Sequence, residues 1–190
     1  MRQHPHIVVL YHSVGGSTRE LAHEVAAGVK SWGCVDVSTL STAAYSRSDR
    51  RLQEAKIVAA DGIALGSPAR FGNMSHELKR ILDEWGPLWG GGQLAGKAYT
   101  AFATSNSVYG GSTAVIQSIY NAVCHFGGVI VPPGYGGEGV PTADINPYGT
   151  TFDTAGSLRP PESVRSAARY QGWRLAQYAS VSRLLRPEHL

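Results

Sequence analysis

The chain has 190 residues, which suits one domain with a sizeable core, and its 43% hydrophobic and 16% charged content is ordinary for a globular protein. The formal charge is +3, but the basic residues are dispersed, and no segment approaches the roughly 20 apolar residues of a membrane span. Cys34 and Cys124 are far apart and without CxxC spacing. We therefore expect no nucleic-acid or membrane binding, reduced thiols and a cytoplasmic location.

Short apolar runs alternate with helix-like segments along the whole chain. In chain order, apolar patterning predicts strand His6–Tyr11, helix Ser17–Trp32, strand Val35–Leu40, a helix around Asp49–Ala55, strand Asp61–Gly66, helix Ser75–Trp85, strand Lys97–Thr104, a helix from about Ser112 to Phe126, strand Gly128–Val131 and helix Glu162–Leu185. Between the last strand and the last helix, Pro132–Pro161 is rich in Gly and Pro and is interpreted as a long loop.

This alternation predicts an α/β fold with a parallel sheet and helices on both faces. Five strands fit a flavodoxin-like three-layer sandwich with strand order 2-1-3-4-5. No internal repeat or composition shift divides the chain, so residues 1–190 are expected to form a single domain.

The stretch SVGGST, Ser13–Thr18, joins the first strand to the first helix. In such a sheet, ligands bind beyond the carboxyl ends of the strands, and a helix start offers unpaired N–H groups and a positive dipole end to a phosphate. Capping by Ser17 or Thr18 with a tight glycine turn is the alternative interpretation. Three hydroxyls and two glycines favour phosphate binding, although the loop is neither a Walker A motif nor GxGxxG.

Two more polar loops are predicted at the same edge of the sheet. GSPARFGNM, Gly66–Met74, offers amides, an arginine and an aromatic ring, and TSNSVYGGS, Thr104–Ser112, offers hydroxyls, Tyr109 and glycines. Each is individually compatible with a plain turn, Asn73 or Ser75 serving as an N-cap in the first. Together with SVGGST they predict a site for a planar cofactor with a phosphate tail.

With these motifs, LWGGGQLAGK, CHFGGVIVPPGY, NPYG and ARYQG, the chain resembles the NAD(P)H:quinone oxidoreductases of the WrbA type, within the flavodoxin-like superfamily. The resemblance runs from Ile7 to about Ala179. PARFGNM, LW…G…L.GK and VIVP.GY carry it, whereas SVGGST alone is only flavodoxin-like.

The resemblance implies non-covalent FMN, with NAD(P)H as co-substrate. The implied cofactor-binding residues are Ser13, Val14, Gly15, Gly16, Ser17 and Thr18 at the phosphate; Pro68, Ala69, Arg70, Phe71, Gly72 and Asn73 along the ring; Thr104, Ser105, Asn106, Ser107, Tyr109, Gly110 and Gly111 on its other side and at the ribityl chain; and His125 near the flavin. It also implies a homotetramer or homodimer with active sites built across subunits.

Three residues, His125, Arg70 and Trp89, have a structural interpretation beside the functional one. His125 is either a catalytic and flavin-contacting residue or a histidine at a helix end. Arg70 either assists the flavin or binds nucleotide phosphates, or it pairs on the surface with an acid such as Asp83 or Glu84. Trp89 matches an aromatic at the substrate face that a neighbouring subunit contributes, which we favour over a core role.

The implied reaction is a ping-pong transfer of two electrons from NAD(P)H to a quinone, with the chemistry supplied by the cofactor. The sequence has no metal motif and no catalytic Ser/His/Asp pattern. Gly15 and Phe126 stand where many members have a tyrosine and a second histidine. These differences affect the expected electron donor and acceptor more than the expected flavin. The alternatives are a flavodoxin-type electron carrier, a family member with another aromatic acceptor, and a flavin-binding scaffold protein.

Overall fold

A computed structural model describes residues 4–47, 49–135 and 145–185 of the chain. Its strands are β1 (His6–Tyr11), β2 (Asp36–Ser41), β3 (Gly62–Pro68), β4 (Ala98–Ser105), β5 (Val129–Ile130) and β6 (Thr151–Asp153). Its helices are α1 (Ser17–Ser31), α2 (Thr42–Arg47), α3 (Arg50–Ala59), α4 (His76–Glu84), α5 (Gly86–Gly90), α6 (Ser112–Phe126) and α7 (Glu162–Leu185). None of the helices in these ranges is both long and apolar enough to cross a bilayer.

The strands form one parallel sheet whose order, β2-β1-β3-β4-β5, confirms the predicted 2-1-3-4-5 arrangement. Successive side chains of β1 point to opposite faces, so both faces are apolar. Ile7 and Val9 pack with α1 and α7, whereas Val8 and Leu10 pack with the helices of the other face. The result is the predicted three-layer sandwich, in which each fully buried aliphatic side chain contributes about 1.5–3 kcal/mol.

Helices α1 and α7 cross at an unusually short distance because each has a glycine at the contact. A Cβ atom on Gly28 would lie 1.8 Å from the carbonyl oxygen of Arg169, and one on Gly172 would lie 1.9 Å from that of Val25. Both distances are far below any real Cβ contact, so only glycine fits at either position. The crossing fixes α1, and therefore the loop that precedes it, against the sheet.

The fifth position of the sheet is shared by two short strands rather than filled by one. β5 pairs with Ala98 and Tyr99 at one end of β4, and β6 pairs with the segment from Ala103 to Ser105 at the other end. The strand predicted at Gly128–Val131 is thus only Val129–Ile130, and β6 lies inside the segment interpreted as loop. Residues 136–144 of that segment lie outside the described residues.

Side chains satisfy the backbone of β4 in the gap between these two strands. The Tyr120 hydroxyl accepts a hydrogen bond from the Ala101 amide at 3.3 Å, and Gln171 Nε2 donates to the Ala101 carbonyl at 2.7 Å. Gln171 Oε1 also accepts from the Thr150 amide at 2.8 Å, so it ties α7 to the returning chain. Burial raises the pKa of Tyr120 to about 12, which keeps its proton in place.

Two short helices were not predicted. α2 follows β2 directly, and α5 occupies GPLWG, whose glycines favour a loop interpretation. The helix expected around Asp49–Ala55 extends to Ala59, with the Asp49 side chain accepting from the Arg51 amide at its start. Ser75 caps α4 by accepting from the Leu78 amide, as the turn interpretation of that loop expected.

Candidate functional site

Three loops meet at the carboxyl edge of the sheet, where the sequence predicted a ligand. The first loop (residues 12–16) follows β1, the second (69–75) follows β3 and the third (106–111) follows β4. Because β1, β3 and β4 are adjacent and parallel, their carboxyl ends lie side by side. The order of the chain reverses at β1, which is the position where ligands bind in this class of sheet.

The first loop ends in a turn that exposes backbone amides. Gly16 has a φ of 107°, a left-handed conformation that glycine adopts without strain, and it starts α1 without a side-chain cap. Ser13 Oγ accepts from the amides of Gly16 and Arg19 at 3.2 and 3.3 Å. In the described part of the chain, the amides of Ser17 and Thr18 have no hydrogen-bond acceptor. They therefore remain available to an anion.

The hydroxyl groups of Ser13 and Thr18 make hydrogen bonds within the chain, which the sequence did not predict. Ser13 organises the turn, and its own hydrogen is still free to donate to a ligand. Thr18, which is 2% exposed, is within 2.8 Å of Thr104 Oγ1 at the end of β4. The Thr104 carbonyl in turn accepts from the Ala69 amide at 2.7 Å. Thr18 thus joins the three loops instead of facing a ligand.

The second loop presents an aromatic ring from a strained turn. Arg70 and Asn73 exchange backbone hydrogen bonds of 2.8 and 3.0 Å around Phe71 and Gly72, whose φ angles are both positive, at 50° and 76°. A bulky residue with positive φ is rare and costs free energy. The Phe71 side chain is nevertheless fully exposed, so no packing against the described residues compensates for that cost. A planar ligand against this ring is the simplest compensation.

The third loop contributes a second exposed aromatic side chain, Tyr109, with Val108 beside it. Ser105 Oγ lies 2.7 Å from the Ser107 carbonyl oxygen, which accepts a hydrogen bond from the Gly110 amide at 2.8 Å. The loop touches the second loop, since a Cβ atom on Gly111 would lie 3.0 Å from the Gly72 Cα. Exposed rings on two touching loops can enclose a flat ligand.

A fourth loop, residues 154–161, completes this edge. The sequence predicted a loop in this region but not its place at the candidate site. The Thr154 amide donates to the Ser105 carbonyl at 2.8 Å, and Leu158 Cδ2 would lie 3.8 Å from a Cβ on Gly15. At its start, Asp153 accepts hydrogen bonds from Ser105 and, at 3.5 Å, from Ser112. The Thr-Phe-Asp-Thr run is the only sequence pattern that indicates this strand. The glycines and prolines around it make a strand of three residues hard to recognise.

His12, which was not among the predicted site residues, begins the first loop and contacts α2 and α4. Its Nδ1 is 2.8 Å from Thr42 Oγ1, and its Nε2 is 3.4 Å from a carboxylate oxygen of Glu77. Burial lowers the pKa of His12, the nearby Glu77 carboxylate opposes that shift, and Arg70 and His76 reinforce it. The imidazole is therefore neutral at pH 7 and braces the base of the site.

His125 and Trp89 lie at the opposite edge of the sheet. His125 is in the last turn of α6, close to the start of β5, and Trp89 Nε1 donates to its carbonyl at 2.7 Å. α6 has 15 residues, so its ends are separated by about 20 Å. Within one chain, neither residue joins the four loops. Arg70 is exposed on the second loop, and Asp83 and Glu84 pair instead with Lys79 and Arg80.

The residues at the carboxyl edge fit a flavin mononucleotide. Free amides at the start of α1 suit a phosphate, Gly16 leaves room for its close approach, and Phe71 and Tyr109 suit an aromatic ring. Ser17 and Ser107 add hydroxyl groups for polar atoms of such a ligand. The site holds one end of a ligand by charge and the other by ring contact.

Comparison with solved structures places the fold among flavodoxin-like proteins. A flavodoxin, WrbA-like protein from Agrobacterium tumefaciens matches with a TM-score of 0.71 and 22% identity over 96% of this chain and 99% of that one. An oxidoreductase from Corynebacterium diphtheriae matches with 0.70 and 16% over 98% and 100%. A flavodoxin from the domain Archaea matches with 0.67 and 18% over 92% and 98%.

The amino-acid sequence itself matches a family profile described as NADPH-dependent FMN reductase. The match covers residues 5–138, more than half of the chain. It includes the first three loops with β1, β3 and β4, whereas the fourth loop lies beyond the matched residues. The chain belongs to the NADPH-dependent FMN reductase family, with a flavodoxin-like fold.

Proposed function

We propose that the chain is an FMN-dependent NAD(P)H:quinone oxidoreductase of the WrbA type, folded as a single flavodoxin-like domain. The observation that carries the proposal is the meeting of free helix-start amides with exposed Phe71 and Tyr109 on three touching loops. Membership of the NADPH-dependent FMN reductase family supports both the cofactor and the electron donor. The quinone acceptor and the ping-pong order rest on the sequence resemblance.

In this proposal the first loop holds the phosphate and the second and third loops hold the ring. The amides of Ser17 and Thr18 bind the phosphate oxygens, while Ser13 keeps the turn in shape. Phe71 and Tyr109 contact the aromatic part, and backbone amides of the second loop stabilise negative charge that develops there. FMN held there would supply the redox chemistry for a two-electron transfer from NAD(P)H to a quinone.

The remaining cofactor-binding residues implied by the resemblance are assigned from their places along the three loops. Residues at the phosphate turn are Val14, Gly15 and Gly16; those at or after the end of β3 are Pro68, Ala69, Arg70, Gly72 and Asn73; and those at or after the end of β4 are Thr104, Ser105, Asn106, Ser107, Gly110 and Gly111. Val14 is exposed at the mouth of the site and Leu158 approaches Gly15 from the fourth loop, so both shield the ligand from water.

Trp89 and His125 enter the proposal as residues of a neighbouring subunit in a homotetramer or homodimer. The hydrogen bond between Trp89 Nε1 and the His125 carbonyl makes them one unit, and Trp89 is 54% exposed. An exposed tryptophan on a protein surface is a typical interface residue. We propose that this unit packs over the substrate face of the next chain, in the cytoplasm, where the exposed Cys34 and Cys124 stay reduced.

Steady-state kinetics test the reaction. NADPH oxidation by the purified protein, with benzoquinone varied at several NADPH concentrations, is expected to give parallel double-reciprocal lines. Intersecting lines would contradict the ping-pong order, because they require both substrates to be bound together. Failure to oxidise NADPH with quinone, in protein that retains FMN, would instead favour the electron carrier.

The neighbouring-subunit assignment is tested separately with Trp89→Ala. We expect this variant to dissociate at higher protein concentration than the wild type in light scattering and to lose kcat/KM for benzoquinone. Because the proposed FMN contacts all come from one chain, the variant should still retain FMN. A wild-type protein that is monomeric at full activity would contradict the shared site.

A further inference from the structure

Arg19 occupies an electrostatically unfavourable position in α1. It is the third residue of the helix, next to the positive end of the helix dipole, where acidic side chains are usually preferred. Its guanidinium points back over the first turn, because Nη2 would lie 3.3 Å from a Cβ atom on Gly16. A cation is therefore held against the same turn that exposes the amides of Ser17 and Thr18.

Among the residues that the structure describes, this guanidinium has only a weak counter-ion. Glu20 Oε1 is 3.9 Å from Arg19 Nε, and the Arg19 side chain is 55% exposed. Arg165 and Arg169, by contrast, each lie 2.7 Å from Glu24. A local arrangement that costs stability without compensation inside the fold is expected where a ligand supplies the compensation.

We propose that Arg19 binds the terminal phosphate of the flavin and makes the site selective for FMN over riboflavin. This inference rests on the proposed function and adds a residue that the sequence motif did not include. The phosphate dianion would lie between the guanidinium and the helix-start amides and would neutralise both sources of positive potential. Charge-assisted hydrogen bonds of this kind are stronger than neutral ones, so Arg19 distinguishes a ligand with a phosphate from one without it.

The test is a calorimetric or fluorescence titration of the full-length, flavin-free protein with FMN and with riboflavin. We expect R19Q to bind FMN about tenfold more weakly than the wild type and riboflavin equally well. R19K, which keeps the charge without the fork, should be intermediate. K30Q removes the same charge at the other end of α1 and should bind both flavins as the wild type does.

Ionic strength gives a second reading of the same contact. FMN affinity of the wild type should fall more steeply with added salt than that of R19Q, because one charge pair is missing in the variant. Without ligand, R19Q is expected to melt at or slightly above the temperature of the wild type, because the variant removes a cation from the positive end of α1.

Several results would overturn the proposal. Equal FMN affinity of R19Q and the wild type would contradict the phosphate contact. An equal loss of FMN and riboflavin affinity in R19Q would make the role of Arg19 structural. Unchanged FMN affinity with a raised KM for NADPH but not for NADH would assign the guanidinium to the donor instead. If the wild type binds neither flavin, the proposed function itself fails.

Discussion

The hydroxyl oxygens of Thr18 and Thr104 lie 2.8 Å apart, in a buried contact that joins the start of α1 to the end of β4. Removing one hydroxyl leaves the other buried without a hydrogen-bond partner. We expect T18V and T104V each to lower the free energy of unfolding by about 1–3 kcal/mol. The double variant should be less destabilised than the sum, because no buried hydroxyl is left unpaired. Urea unfolding of the four proteins measures this coupling.

The matched control for this pair is T39V, since Thr39 is exposed on β2. It should change stability by less than about 0.5 kcal/mol. Strict additivity of the two single variants would show that the contact contributes nothing. FMN affinity should also fall in both single variants, because the pair holds the first loop against the third.

The α1–α7 crossing gives a larger effect. G28A and G172A each place a Cβ within 2 Å of a carbonyl oxygen of the other helix, so the helices must separate or the chain must deform. We expect either variant to lose more than about 3 kcal/mol of stability or to fail to fold, as in severe overpacking. Thermal melting checks this. G90A, whose added methyl group meets no atom within 4 Å, should melt close to the wild type.

The strand order was predictable from sequence, and the completion of the sheet was not. Apolar runs such as His6–Tyr11 are buried on both faces, and this makes parallel strands visible without any contact information. β6 has three residues, and its place depends on Gln171 and Tyr120, which come from distant parts of the chain. Such long-range hydrogen bonds leave no local periodicity in the sequence.

Gln171 therefore offers a direct test of the split fifth strand. Q171L keeps the volume but leaves the Ala101 carbonyl and the Thr150 amide without their partner, in a region that excludes water. We expect a loss of about 2–4 kcal/mol in the free energy of unfolding, from two unsatisfied buried groups. Q117L, at an exposed position of α6, is the control and should be nearly neutral. Equal stability of Q171L and Q117L would contradict the bridging role.

The protonation of His12 predicts a pH dependence of stability. Burial lowers its pKa in the folded state below the ordinary 6.5, so the unfolded chain takes up the proton first as the pH falls. Its contribution is fully present above about pH 6.5 and is lost progressively below it. Glu77 opposes this loss, whereas Arg70 and His76 reinforce it. H12N, which keeps a polar group toward Thr42, should show a shallower decline than the wild type in urea unfolding between about pH 7 and 5.

H23N is the control for this measurement, because His23 is exposed on α1 and is not among the groups that shift the pKa of His12. Its decline with pH should resemble that of the wild type. A decline in H12N as steep as in the wild type would show that His12 does not contribute to acid sensitivity.

For the site, residue composition located the loops but not the roles within them. SVGGST predicted a helix start that binds an anion, yet the Thr18 hydroxyl faces Thr104 and Ser13 organises the turn. Arg19 went unnoticed because helix charge preference alone gives no reason for a cation there. Trp89 and His125 were placed near the flavin by resemblance, and one chain puts them at the other edge, since the length of α6 separates its ends.

The most direct test of the central claim is the visible absorption spectrum of the purified protein, recorded anaerobically before and after NADPH and again after benzoquinone. We predict a flavin spectrum that NADPH bleaches and benzoquinone restores, with the flavin released on denaturation identified as FMN. G16V, which fills the space at the start of α1, should purify without that spectrum. Colourless wild-type protein that takes up no FMN, or G16V that holds FMN as tightly as the wild type, would contradict the assignment of this edge as the flavin site.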